Sequence, residues 1–161
     1  MQKQQKFHHS ITENGNLQLR IITEYTKNGK IIDRKYSNPM TPADPKNMKD
    51  WDKKSQDIIS VIIDDKVKAD FEAEKQVKTS VGVEEIISYD RVIDDDGKIA
   101  VRRITRIFDE GVEVSKKYHR SWIMPGDDST GNDVISKAVA KKIHTPEVIK
   151  DYKAKLAKQA V

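Results

Sequence analysis

Apolar and polar residues alternate strictly in two stretches of the chain, Leu17, Leu19 and Ile21 in one and Ile99 and Val101 in the other. A period of two sends successive side chains to opposite faces of a strand, so each stretch predicts one covered and one wetter face. Strand-like runs flank both. They span residues 6–12, 16–26 and 30–36 in the first half, and 84–93, 98–108 and 112–123 in the second. The turns between them read ENG, KNG, DDDG and DEG. Glycine after Asp, Asn or Glu supplies the positive φ that tight hairpins need. Read as a three-residue loop, DEG sets Phe108 against Val112 and Arg102 opposite Tyr118. The same counting sets Arg20 opposite Tyr36. An arginine stem lying across a tyrosine ring is a packing device on a sheet face.

Helical spacing takes over after each third strand. Trp51, Ile58, Ile59, Ile62, Val67 and Phe71 recur at helical spacing, which predicts a helix capped by Thr41 or Asp44. In the second half NDVISKAVAKKI forms one helix and TPEVIKDYKAKLAKQ another, with Thr145 as N-cap and Pro146 at the first helical position. The polar stretch 75–83 reads as a helix end or short connector.

The two halves also match residue by residue. Gly15, Ile22, Thr23, Gly29 and Tyr36 recur 82 positions later as Gly97, Ile104, Thr105, Gly111 and Tyr118. One further residue brings Pro42 onto Pro125 and Asp44 onto Asp127. A repeat decides the architecture. The expected fold is α+β, made of two tandem βββα units: antiparallel three-stranded meanders, each followed by one or two helices. The first unit is expected over 1–76 and the second over 82–161.

Composition narrows the function classes. Thirty basic residues stand against 26 acidic ones, for a formal net charge of +4, so basicity permits an anionic partner without demanding one. The chain has no cysteine, which removes disulfides and thiolate metal sites and fits a reducing compartment. MQKQQKFHHS has no apolar core of a secretory signal, and the apolar run Ile58 to Ile63 is too short for a bilayer. No membrane association is expected.

Candidate chemistry concentrates in KKYHRSWIMPGDD, residues 116–128. His119 beside aspartates suggests a general base, but no hydroxyl nucleophile is placed with it, and no catalytic role is assigned. The residues kept in both halves, Tyr118, Pro125 and Asp127, read as structural: a packed ring, a fixed φ, and a helix cap supplied by Asp127 or Asp128. Arg102, Arg103, Arg106, Lys117, His119 and Arg120 form the candidate site for a phosphate or a partner. Guanidinium groups clamp phosphate oxygens well, yet nearby acids at 94–96, 109, 110 and 113 balance this charge, and a solvated strand face is the favoured reading. His8 and His9 are neighbours in a strand and point to opposite faces, so no metal is expected there. The Asp-rich turns do not fit a calcium loop. No cofactor is expected.

The run ITRIFDEGVEVSKKYHRSWIMPGDD resembles a pattern in small proteins of tailed bacteriophages. Their pattern has an acidic-Gly turn, E-[IV]-S-x-x-[YF]-H-R and a Pro-Gly-Asp bend, matched here by Glu113, Val114, Ser115, Tyr118, His119, Arg120, Pro125, Gly126 and Asp127. Ser121 stands where that family has a second histidine. The resemblance implies a phage-encoded accessory or virion component and supplies no mechanism. The expected function is non-enzymatic: a virion structural or assembly protein, in the virion or the host cytoplasm, that contacts other phage subunits or copies of itself. The alternative is a counter-defence protein that binds a phosphorylated ligand or nucleic acid on the basic hairpin.

Overall fold

The computed structural model describes residues 1–37 and 51–160. They form an α+β fold with a seven-stranded antiparallel sheet and four helices. In chain order the elements are β1 (Gln2–Ile11), β2 (Leu17–Lys27), β3 (Lys30–Tyr36), α1 (Lys53–Ile62), α2 (Asp65–Glu74), β4 (Gln76–Ser80), β5 (Val83–Ile93), β6 (Ile99–Asp109), β7 (Val112–Ile123), α3 (Val134–Ile143) and α4 (Pro146–Gln159). The sheet runs β3-β2-β1-β5-β6-β7, and β4 pairs with the part of β5 that β1 leaves free.

Three expectations are corrected. Residues 76–80, read as connector, form β4, because alternation continues through Val77 and Gly82 takes φ +77° to turn the chain. The single helix of the first half is two. Asp52 caps α1 through the Ser55 amide (2.9 Å), and Asp64 breaks the run and caps α2 through the Val67 amide (3.0 Å). The caps expected at Thr41 or Asp44, and Pro42 with them, lie outside the described residues.

The hairpin register is the third. The turns are Asn28–Gly29 and Glu110–Gly111, two residues long, with φ of 52° and 74° in one and 48° and 81° in the other. That is the type I′ pattern, whose twist matches the strands. A bulge follows in each outer strand. Pairing shifts between Tyr25 and Thr26 against β3, and between Ile107 and Phe108 against β7, leaving Ile32 and Val114 as the extra residues. Tyr36 therefore faces Ile22 and Tyr118 faces Ile104, while Arg102 faces Arg120. The direct Arg20–Tyr36 and Arg102–Tyr118 pairs do not form.

The meanders meet along a short seam of three pairs, His9 with Ile93, Ser10 with Val92 and Ile11 with Arg91. The odd-numbered face of the seam carries the core. Ile11, Leu17, Ile93, Ile99 and Ile123 are buried there beneath Ile58 and Ile59 of α1 and Ile135, Val139 and Ile143 of α3. Each such side chain contributes about 1.5–3 kcal/mol by leaving water. The core stops near the seam. All of β3 is exposed, as are most of the residues at the start of β7.

Two polar side chains are buried with this core. His9 Nε2 lies 2.7 Å from Ser55 Oγ in the first turn of α1. Arg91 donates to Ser136 Oγ (3.1 Å) in the first turn of α3, to the Tyr89 carbonyl (3.1 Å), and to the carboxylate of Asp133, which caps that helix. Both side chains of the Arg91–Asp133 pair are fully buried. Each helix is thus held by its first turn to a seam residue. Burial, reinforced by Lys54, lowers the His9 pKa from 6.5 to about 4, so this imidazole is neutral in the fold.

Two predictions follow from this arrangement. Between pH 6.5 and about 4 the unfolded chain protonates His9 and the folded chain does not, so stability falls as pH drops through that window. The full loss is about 3 kcal/mol. In urea unfolding across that range, the stability difference between wild type and His9→Gln should shift toward the variant by that order as pH falls; a constant difference contradicts a neutral buried His9. Glu110 sits in the left-handed region, where asparagine is at home. Glu110→Asn should raise stability by about 0.5–1 kcal/mol, read as a higher urea midpoint at unchanged slope.

Candidate functional site

Strand alternation divides the six candidate residues. Odd-numbered positions on β6, and on β7 from Ser115 onward past the bulge, share the helix side, and the even-numbered ones share the open side. Arg103 pairs with His119 and Thr105 with Lys117, so Arg103, Lys117 and His119 stand on the helix side, exposed beyond the reach of the core. Among the described residues the His119 side chain has no hydrogen-bond or ion-pair partner. Arg102, Arg106 and Arg120 come together on the open side.

There they line a groove of about 640 Å³ with Lys116, Tyr118 and Trp122 of β7. Its floor is Ile104, 2% exposed although it lies outside the core cluster that the described helices cover. Ser10, Thr12, Glu13 and Gln18 close the far wall, brought there by the seam and the β1–β2 turn. Asp90 stands directly opposite Arg102 in the register and holds its guanidinium through both carboxylate oxygens. Arg106 donates to Ser88 Oγ (3.0 Å) and to both oxygens of Glu13 (2.8 and 3.0 Å). These hydrogen bonds raise the pKa of both arginines. Among the described residues Lys116 and Arg120 have no carboxylate partner.

Tyr118 is not packed as expected. It is 53% exposed, with Arg102 over its ring at 5.0 Å and Lys116 at 5.5 Å. The arginine–tyrosine contact expected across the strands therefore survives as a diagonal one. In the first hairpin Tyr36 is 59% exposed and Arg20 is exposed, and the cation over a ring is Lys35 on Tyr25 at 5.5 Å. Glu24 takes the place that Arg106 has in the second hairpin. It is buried between Lys6 (3.0 Å) and Arg34 (2.9 Å), whose hydrogen bonds, Lys6 foremost, lower its pKa. The first half thus closes its open side with an ion triad, and the second leaves a groove.

The expected caps are corrected here. Asp127 accepts the Met124 amide (2.9 Å) and Asp128 the Thr130 amide (2.9 Å), which lowers the Asp128 pKa. Both shape the bend, and the cap of α3 is Asp133. Pro125 is buried beside Gly97.

Sequence reading missed Asp90, Glu13 and Trp122. Asp90 was recoverable by extending the β5–β6 pairing from the DDDG turn. Glu13 was not, because it lies 93 positions from Arg106 and reaches it only through the seam.

Among the described residues no group of three or more His, Asp or Glu side chains is placed to hold a metal ion, and no helix is long and apolar enough to cross a membrane. Family models, curated proteins and solved structures each give no match to this chain.

Proposed function

We propose that this chain is a non-enzymatic bacteriophage virion or assembly protein that works through protein–protein contacts, and that its two halves are tandem copies of one βββαα unit. The observation that carries the contact role is the state of the sheet's outer ends. Ile31 and Ile32 at one tip, and Val81, Val83, Val112 and Val114 at the other, are exposed β-branched residues. They sit on or beside β3 and β7, the two ends of the main sheet path, and at the turn from β4 into β5, beyond the helices. Unpaired strand edges with apolar side chains are templates for pairing with another chain. Their position in both halves fits a subunit that reaches neighbours on two sides, whether those are copies of itself or other phage proteins.

Support for the duplication comes from the pairing. Turn, bulge and register recur 82 residues apart in the two meanders, and Ile32 and Val114 are corresponding bulge residues. The helix caps Asp52 and Asp64 recur 81 residues later as Asp133 and Thr145. His9 and Arg91 occupy corresponding seam positions, each bound to the serine three residues after a cap. The phage setting rests on the resemblance of residues 113–127, and it places the protein in the virion or the host cytoplasm.

Mass spectrometry of purified particles and sedimentation of the free chain test this reading together. The chain should be found in virions or should self-associate with rising concentration, and Ile32→Lys with Val114→Lys should weaken that association at least tenfold while leaving thermal unfolding in place. A chain absent from virions and monomeric up to about 100 μM, a generous ceiling for a specific subunit contact, contradicts it.

A further inference from the structure

We propose that the open groove of the second hairpin is a binding site for single-stranded nucleic acid. The site lies on the open face of β7, away from the exposed aliphatic tips Ile31, Ile32, Val112 and Val114 that carry the assembly reading, and side-chain substitutions in the groove test it without them.

On β7 the open side presents Lys116, Tyr118, Arg120 and Trp122 in succession. Alternate residues of a strand lie about 7 Å apart, so cation and aromatic ring alternate along roughly 20 Å of surface. Tyr118 is 53% and Trp122 55% exposed, an unusual state for two large rings on one strand face. Among the described residues Lys116 and Arg120, the cations of this row, have no carboxylate partner, whereas Arg102 across the groove is fixed by Asp90, and Arg106 by Glu13 with Glu113 at 3.7 Å. The rings therefore stand beside two cations that no described carboxylate pairs.

Its occupant must be anionic and offer flat surfaces. A phosphodiester chain with unpaired bases does both: cations track the backbone while bases stack on aromatic rings and arginine planes. A protein partner fits less well. Cores of protein interfaces are depleted in charge, but this groove has Arg102, Asp90, Arg106 and Glu13 at its centre and Ser10, Thr12 and Gln18 on its wall. Polar, positively charged contact surfaces are the habit of nucleic-acid interfaces. The strand must be single, because duplex bases are stacked out of reach of the rings. The described helices that pack on the sheet cover its opposite face, so none is offered to a duplex groove. Stacking is sequence-tolerant, so simple homopolymers are sufficient probes.

The test titrates the full chain into fluorescein-labelled twelve-residue oligo(dT) and oligo(rU) and reads anisotropy at 50 and 200 mM salt. Binding to at least one is expected, weakened about sevenfold between the two salts if two phosphates are neutralised. Trp122→Ala should cost about 5- to 100-fold, and Lys116→Glu with Arg120→Glu at least tenfold. Lys116→Gln with Arg120→Gln serves if the reversed pair melts early. Arg103→Glu with Lys117→Glu, the same charge change on the helix side, should alter affinity less than twofold. No binding at 50 mM salt overturns the site, and so does equal loss from the two reversed pairs, which would mean net charge alone. Polyglutamate competing as well as the oligonucleotides overturns it in favour of an acidic protein partner. The difference between oligo(dT) and oligo(rU) assigns the strand to DNA or RNA.

Discussion

Three residue pairs join the two meanders, and everything else in the fold is arranged around making so short a seam hold. Backbone pairing over His9–Ile11 and Arg91–Ile93 is too brief to fix two sheets by itself. Side chains complete it. His9 and Arg91 go into the core from the seam and bind the first turns of α1 and α3, so the strands and the helices that cover them are fixed by the same residues. The two solutions differ in chemistry. His9 is kept neutral by desolvation, and one hydrogen bond to Ser55 serves it. Arg91 stays charged and needs a buried carboxylate, a hydroxyl and a carbonyl. Isolated burial of that charge would cost several kcal/mol, which is why Asp133 is both cap and counterion.

The seam also decides where function can lie. The core is concentrated at the middle of the sheet, under α1 and α3. Toward their outer ends the hairpins lose helix cover, so aliphatic residues there face water. On the opposite side the sheet carries none of the described helices. There the β1–β2 turn is carried across the seam far enough for Glu13 to reach Arg106, which walls a groove in the second half. In the first half the equivalent place is filled by Glu24 with Lys6 and Arg34. Two similar meanders thus present different surfaces, one sealed by an ion triad and one open with cations beside exposed rings.

Much of this was legible from alternation alone. The six longer strands, the pair α3 and α4, and the cap at Thr145 follow from local rules of period and turn chemistry. Register did not, because a bulge depends on which turn type the loop adopts. Glu110 gives no sign in the sequence that it accepts a positive φ. The break at Asp64 was hidden by apolar spacing that continues on both sides of it. For the site, alternation could have divided Arg102, Arg106 and Arg120 from Arg103, Lys117 and His119 at the outset. It could not have supplied Glu13 or the burial of Arg91 and His9, which arise only when distant segments meet.

The most direct test compares the unfolding free energies of Arg91→Met, Asp133→Asn and the double variant. A seam held by a buried, mutually dependent pair predicts that Arg91→Met alone costs about 3–5 kcal/mol, by stranding a carboxylate. Adding Asp133→Asn, which still caps α3, should then recover at least about 1 kcal/mol. A single substitution costing under about 1 kcal/mol, with the two effects simply adding, would mean that the meanders are held together by something other than this seam.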